Sequence, residues 1–210
     1  CRLKPGDIVV EYSGGSTGAS LALVCAAKGY RLQIVTSDAF SLEKRNQMRA
    51  YGADLTILPS EGGFSTKKLF QEMIRAAKEL SGKPNTFWFN QLQNPDTVEG
   101  YYSLGEEIWK QTNGEVTAFV QAVGTGASSR GVATILKKQN PNIKVFGVEP
   151  AESPVLAGGQ PGSHRIEGIG IGYTPELYDP SLIDGVIPIS TDEAEQMARR
   201  LAREEALFTG

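Results

Sequence analysis

A chain of 210 residues that is 40% hydrophobic and 21% charged carries enough apolar material for one large core or two small ones. Its formal net charge is -3, with lysines and arginines scattered rather than clustered, so it has no footprint for a nucleic-acid backbone and no nucleic-acid partner is expected. Two cysteines, Cys1 and Cys25, without CxxC spacing, argue against a disulfide framework or a zinc site.

No metal site is expected, and no apolar run approaches the length of a membrane span. The start resembles no signal peptide, so no membrane partner and a cytoplasmic setting are expected. The chain begins on Cys and almost directly on a strand, and the expectation is an internal segment of a longer protein, incomplete at both ends.

In chain order, β-branched runs predict strands over 7–11, 31–36, 54–59, 85–90, 115–123, 143–149 and 185–190. Helical patterns lie between most of them. The stretch after Gly15 opens with hydroxyl residues and stops at Gly29, and a second helix runs from Ser41 to Gly52. Further helices are predicted over 65–80, 97–112, 127–138 and 191–206, the last with Thr191 as N-cap. Cys25 falls inside an apolar helical pattern and reads as a buried structural thiol.

This alternation implies βαβ units and an α/β fold with mainly parallel sheet. Polar residues and Pro95 interrupt it in "NQLQNPDTVEG", which divides the chain into a smaller domain over 1–95 and a larger one over 96–210. From Ala151 to Pro180 little periodicity survives, and long irregular segments of this kind are often functional.

Ligands of parallel sheets bind beyond the carboxyl ends of the strands, which directs attention to three glycine-bearing loops. In "EYSGGSTGAS", Gly14, Gly15 and Gly18 allow close backbone approach, while Ser13, Ser16 and Thr17 surround a helix start that favours a small anion. The alternative is a plain capped turn. In "AVGTGASSRG", Gly124, Thr125, Gly126, Ala127 and Ser128 form a candidate oxyanion cradle, with Arg130 nearby. The same GxG also opens dinucleotide sites, with Glu149 at the spacing of a ribose-binding acid, although Ser129 replaces the third glycine. A structural turn is the third reading. In "EGIGIGYTP", Gly168, Gly170 and Gly172 suit backbone lying against a planar ligand or an irregular edge strand. His164 has no catalytic or metal-spaced partners and reads as a locally hydrogen-bonded loop residue.

Taken together and in order, these motifs resemble the cysteine synthase family of fold type II pyridoxal 5'-phosphate (PLP) enzymes, which also includes cystathionine β-synthase. "EYSGGSTG" is similar to EPTSGNTG, "NQLQNP" to QQFxNP, "GEEIW" to GPEIW and "AVGTGASSRG" to GVGTGGTxTG. "VEPAESPVL" and "HRIEGIGIGYTPE" are similar to VEPxxSPVL and HxIQGIGAGFIP. The resemblance implies two open, three-layer domains of the tryptophan synthase β-like type, with PLP in the cleft between them, and a homodimer.

By position, Gly124, Thr125, Gly126, Ala127 and Ser128 match the loop that holds the PLP phosphate. Ser13, Gly14, Ser16, Thr17 and Gln91 match the part that closes on the α-carboxylate of an amino-acid substrate. Gly168 and Ile169 match the opposite wall, Gly168 beside the cofactor and Ile169 beside the substrate. Ser16 stands where the family has the asparagine that contacts both the cofactor's ring oxygen and the substrate, and Gly14 stands at a family serine. No residue matches the Schiff-base lysine or the pyridine-nitrogen serine, so no catalytic residue is assigned and the 210-residue polypeptide alone is expected to be inactive.

For the parent chain the implied activity is PLP-dependent β-replacement on an activated L-serine, first O-acetylserine plus sulfide giving L-cysteine. A cystathionine β-synthase-like or other β-substituted-alanine reaction is the alternative. A non-catalytic ligand-binding relative and an NAD-dependent oxidoreductase built on Gly124, Gly126 and Glu149 complete the set.

Overall fold

A computed structural model describes residues 3–4, 6–63 and 66–208; Cys1, the expected helix start Ser65 and the last two residues lie outside them. The chain forms two compact units, one up to Gln91 and one from Leu92 onward.

In the first unit, β1 (Ile8–Tyr12), β2 (Arg31–Ser37), β3 (Asp54–Leu58) and β4 (Thr86–Trp88) build a parallel sheet in the order β3-β2-β1-β4. Val9 pairs with Leu32 and Phe87, and Ile34 with Glu11 and Leu55. Apolar strands buried on both faces need helices on both sides. On one side Ala22 and Cys25 of α1 (Ser16–Lys28) and Met48 of α2 (Leu42–Ala50) pack on Val9, Leu32 and Ile34. On the other, α3 (Lys67–Ser81) buries Leu69, Met73 and Ala77 against β1, β2 and β4. Burying each large apolar side chain contributes roughly 1.5–3 kcal/mol. Gly29 ends α1 in the left-handed conformation at φ 71, and Cys25 is a buried free thiol.

In the second unit, β5 (Ala118–Ala122), β6 (Lys144–Pro150) and β7 (Gly185–Ile189) form a parallel sheet in that order. Val132 and Leu136 of α6 (Ala127–Gln139) make a core with Ile143, joined by Phe119 and by Ile108 and Trp109 of α5 (Tyr102–Gln111). Phe119 faces α6, so the alternation of β5 turns Val120 the other way, where it is 56% exposed. Asp184, the residue before β7, accepts hydrogen bonds from Lys137 Nζ at 2.7 Å, Val145 N–H at 2.9 Å and Lys144 Nζ at 3.1 Å. Those bonds hold its carboxyl well below the usual carboxylate range, the Lys137 bond most of all.

Three local expectations change. The helix over 97–112 is two pieces, α4 (Asp96–Gly100) and α5, broken at Tyr101 just after the poor helix former Gly100. The strand over 115–123 starts only at Ala118, because Asn113 and Gly114 both take positive φ in a turn closed from Glu115 N–H to the Thr112 carbonyl. The cap of α7 (Thr191–Glu204) is Ser190, in a reciprocal capping box with Glu193. Thr191 Oγ1 instead accepts the Arg165 N–H at 3.2 Å.

Candidate functional site

At the carboxyl end of β1 the chain turns into α1 through Ser13–Gly15. Hydroxyls do not cap this helix from the N-cap position, which is Gly15; the buried Ser13 Oγ, two residues upstream, accepts the N–H groups of Gly15 at 3.0 Å and Gly18 at 2.9 Å. Ser13 therefore shapes the loop from beneath, while Ser16 is exposed and Gly14 and Thr17 are half-buried above it. Thr17 Oγ1 donates to Gln91 Oε1 at 2.7 Å, and Gln91 Nε2 donates to the Tyr12 carbonyl at 2.8 Å. Thus Ser13, Gly14, Thr17 and Gln91, distant in sequence, share one end of the first sheet.

Beneath them lies Glu11, which sequence reasoning did not single out. It is fully buried, with Oε1 accepting the Tyr12 N–H at 3.0 Å and Oε2 the Gln91 N–H at 3.1 Å. Burial pushes its carboxyl up to about 7, against the opposing pull of hydrogen bonds from Gln91, Tyr12 and Asn90. The available signal was a carboxylate ending the apolar run "DIVVE" immediately before a glycine loop.

In the second unit the loop after β5 brings Gly124, Thr125, Gly126, Ala127 and Ser128 to the start of α6. Gly126 is left-handed at φ 85, and a Cβ there would lie 2.6 Å from Tyr178 N and 2.7 Å from its Cα. A Cβ on Gly124 would meet the Gly168 carbonyl at 2.5 Å. Glycine is required at both positions because another stretch of main chain lies where a side chain would be. Thr125 Oγ1 accepts the Ala127 N–H at 3.3 Å, and Ser129 Oγ donates to the Gly126 carbonyl at 2.9 Å. Ser128 is half-buried.

The first amides of α6 have no acceptor within their own helix, and the aligned peptide dipoles favour an anion there. A compact phosphate group fits this donor set: small residues, two hydroxyls and a helix start, with Arg130 Nε 3.9 Å from Asp179 nearby.

The wall facing this loop comes from the irregular segment after β6. Gly168 is left-handed at φ 84 and exposed, and Ile169 is half-buried beside it. His164 Nε2 donates to the Gly170 carbonyl at 2.9 Å while Nδ1 accepts the Ile166 N–H at 3.3 Å, which fixes the neutral Nε2–H tautomer. It is a local staple of the glycine loop, as its isolation in sequence suggested.

Glu149 does not serve as a ribose ligand. It is 2% exposed, and its two oxygens accept the N–H groups of Leu156 at 2.7 Å and Ala157 at 2.9 Å, so it closes its own turn. With Ser129 buried on α6 and directed to its own helix, the dinucleotide alternative is withdrawn. Among the described residues no group of three His, Cys, Asp or Glu side chains is placed to hold a metal ion, and no helix is long and apolar enough to cross a membrane.

Comparisons with known proteins agree with this geometry. Residues 2–210 match the pyridoxal-phosphate dependent enzyme family. A cysteine synthase of Staphylococcus aureus (strain Mu50 / ATCC 700699) is 39% identical over 211 residues, covering 100% of this chain and 66% of the relative. The chain thus spans just under two thirds of that relative's length.

Among solved structures, a cysteine synthase from Entamoeba histolytica superposes with a TM-score of 0.89 at 36% identity, over 98% of this chain and 60% of that one. An O-acetylserine dependent cystathionine β-synthase from Helicobacter pylori gives 0.90 at 35% identity, over 99% and 66%. The α/β fold with parallel sheets is that of the fold type II PLP enzymes. The chain belongs to the pyridoxal-phosphate dependent enzyme family.

Proposed function

We propose that the protein carrying this chain catalyses β-replacement on an activated L-serine, with O-acetylserine and sulfide giving L-cysteine as the leading reaction. One observation carries the reading. Two glycine-bearing helix starts, each following the carboxyl end of a parallel strand, occur in a chain 39% identical over its whole length to a cysteine synthase.

In this reading Gly124, Thr125, Gly126, Ala127 and Ser128 hold the cofactor phosphate through main-chain amides and hydroxyls. Ser13, Gly14, Ser16, Thr17 and Gln91 hold the substrate α-carboxylate, Ser13 by supporting the loop and the others by facing the ligand. The roles of Ser16 at the cofactor's ring oxygen, Gly168 beside the cofactor and Ile169 beside the substrate rest on the family resemblance. Bound PLP supplies an electron sink, and the protein supplies orientation and electrostatics. No lysine among these 210 residues is assigned to the cofactor aldehyde. Domains over 1–95 and 96–210, a homodimer and a cytoplasmic setting belong to the same proposal.

The test is product analysis with the full-length protein loaded with PLP. O-acetylserine and sulfide are expected to yield L-cysteine and acetate in equal amounts. Homocysteine in place of sulfide tests the second reading, which is favoured by the likeness to the Helicobacter pylori enzyme. No product from any β-substituted alanine overturns both and leaves a ligand-binding relative.

A further inference from the structure

Glu11 is tied to the loop that the proposed function assigns to the substrate carboxylate through two successive groups. Its carboxylate accepts the Tyr12 N–H and the Gln91 N–H, joining the end of β1 to the residue that closes the first unit, 80 positions away in sequence. The Gln91 side chain then returns across the same junction. A primary amide has one accepting end and one donating end, and donation from Nε2 to the Tyr12 carbonyl decides which way round it lies. The oxygen is thereby presented to the Thr17 hydroxyl at 2.7 Å.

This bond spends the single Thr17 hydroxyl proton, and of the two N–H groups on Nε2 one goes to the Tyr12 carbonyl while the side chain also bonds the Glu11 carboxylate. We infer that Glu11 is a positioning residue for the carboxylate of the amino-acid substrate: by fixing the Gln91 main chain and side chain it sets the amide so that Thr17 is held in place on the loop that closes on the ligand. The inference rests on the proposed reading of that loop.

A buried carboxylate is well suited to this task. It accepts two main-chain N–H groups at once, one on each oxygen. Glutamine at the same position presents one accepting oxygen and one NH2, so one of the two main-chain N–H groups faces another donor and Gln91 loses its fixed position.

The experiment measures binding of L-serine and of L-serine methyl ester to the full-length, PLP-loaded protein by titration, for the unsubstituted protein, Glu11→Gln, Gln91→Ala and the double variant. Glu11→Gln is expected to weaken L-serine about tenfold, to change methyl ester binding less than about twofold, and to add less than about twofold in the Gln91→Ala background, since the two residues act as one unit. Equal weakening of both ligands, or full additivity with Gln91→Ala, overturns the positioning role.

If Glu11→Gln does not fold, amide exchange in the unsubstituted protein decides. L-serine is expected to slow exchange at both Tyr12 and Gln91, and unchanged exchange overturns the role. The two ideas fail differently. Undiminished L-serine binding in Glu11→Gln removes the positioning role alone, whereas no L-serine binding by the unsubstituted protein removes the functional reading and this inference with it.

Discussion

Alanine at position 126 tests the cradle where its construction is tightest. Two penalties act there. A non-glycine residue in the left-handed region costs roughly 1–2 kcal/mol, and forcing a methyl group into packed main chain costs roughly 1–3 kcal/mol more. The second applies because the Cβ would sit 2.6 Å from Tyr178 N, 2.7 Å from its Cα and 3.0 Å from the Leu177 carbonyl carbon, none of which is the movable end of a side chain.

Gly158 supplies the control. Its φ is 87, almost that of Gly126, but a Cβ there meets nothing within 4 Å. Gly158→Ala therefore carries the first penalty alone, about 1–2 kcal/mol, and Gly126→Ala both, about 2–5 kcal/mol. Urea unfolding followed by circular dichroism gives each value from the shift in midpoint at constant slope. If the two variants differ by less than about 0.5 kcal/mol, the close approach of 177–178 to the loop is wrong and the cradle is not shaped as described.

The other predictions concern charge and capping. Glu11 is protonated in the folded state up to about 7 but in the unfolded chain only up to about 4.5, so stability falls as pH rises through that window, by about 3 kcal/mol at most, and levels off above it. Glu11→Gln is expected to abolish that slope in urea titrations at several pH values, and an unchanged slope refutes the assignment. Asp184 has the opposite sign: its lowered carboxyl contributes stability above the ordinary aspartate range that is lost as pH falls below it. Asp184→Asn is expected to lower stability at neutral pH and to flatten the acid limb of thermal melts; an unchanged limb is the refuting result. Ser190→Ala removes the α7 cap and is expected to cost about 1 kcal/mol, whereas Thr191→Val, if Thr191 were the cap, would be the costlier substitution; urea midpoints separate the two.

Much of this was legible because local and global signals coincide. Strands such as "DIVVE" and "IKVFGVE", separated by helices with their own stop signals, leave parallel pairing as the simple solution, and each forms. The phosphate-loop segment was conspicuous because glycine and hydroxyl residues interrupt an apolar strand just where a helix begins.

What escaped depends on partners distant in sequence. Nothing near Glu149 shows that Leu156 and Ala157 will take both its oxygens, so its spacing from Gly126 suggested a ribose ligand. Ser190 and Thr191 are both competent caps, and only the Arg165 N–H on a distant loop decides between them. The link from Glu11 to Thr17 runs through Gln91, an 80-residue separation that no local pattern encodes.

The crossover from β6 to β7 supplies the main chain that meets Gly124 and Gly126, through Gly168 and through Leu177 and Tyr178. The same crossover joins β6 to β7, because parallel neighbours cannot be joined by a tight turn. The cradle and the edge of the sheet are thus tied through one connecting segment. A ligand that binds only the formed cradle stabilises the ordered crossover by RT ln(1 + [L]/Kd), and that free energy reaches β7, which the ligand need not touch. Saturating the loop at 124–128 is accordingly a way to slow the opening of β7, and a substitution that loosens β7 is a way to weaken the ligand.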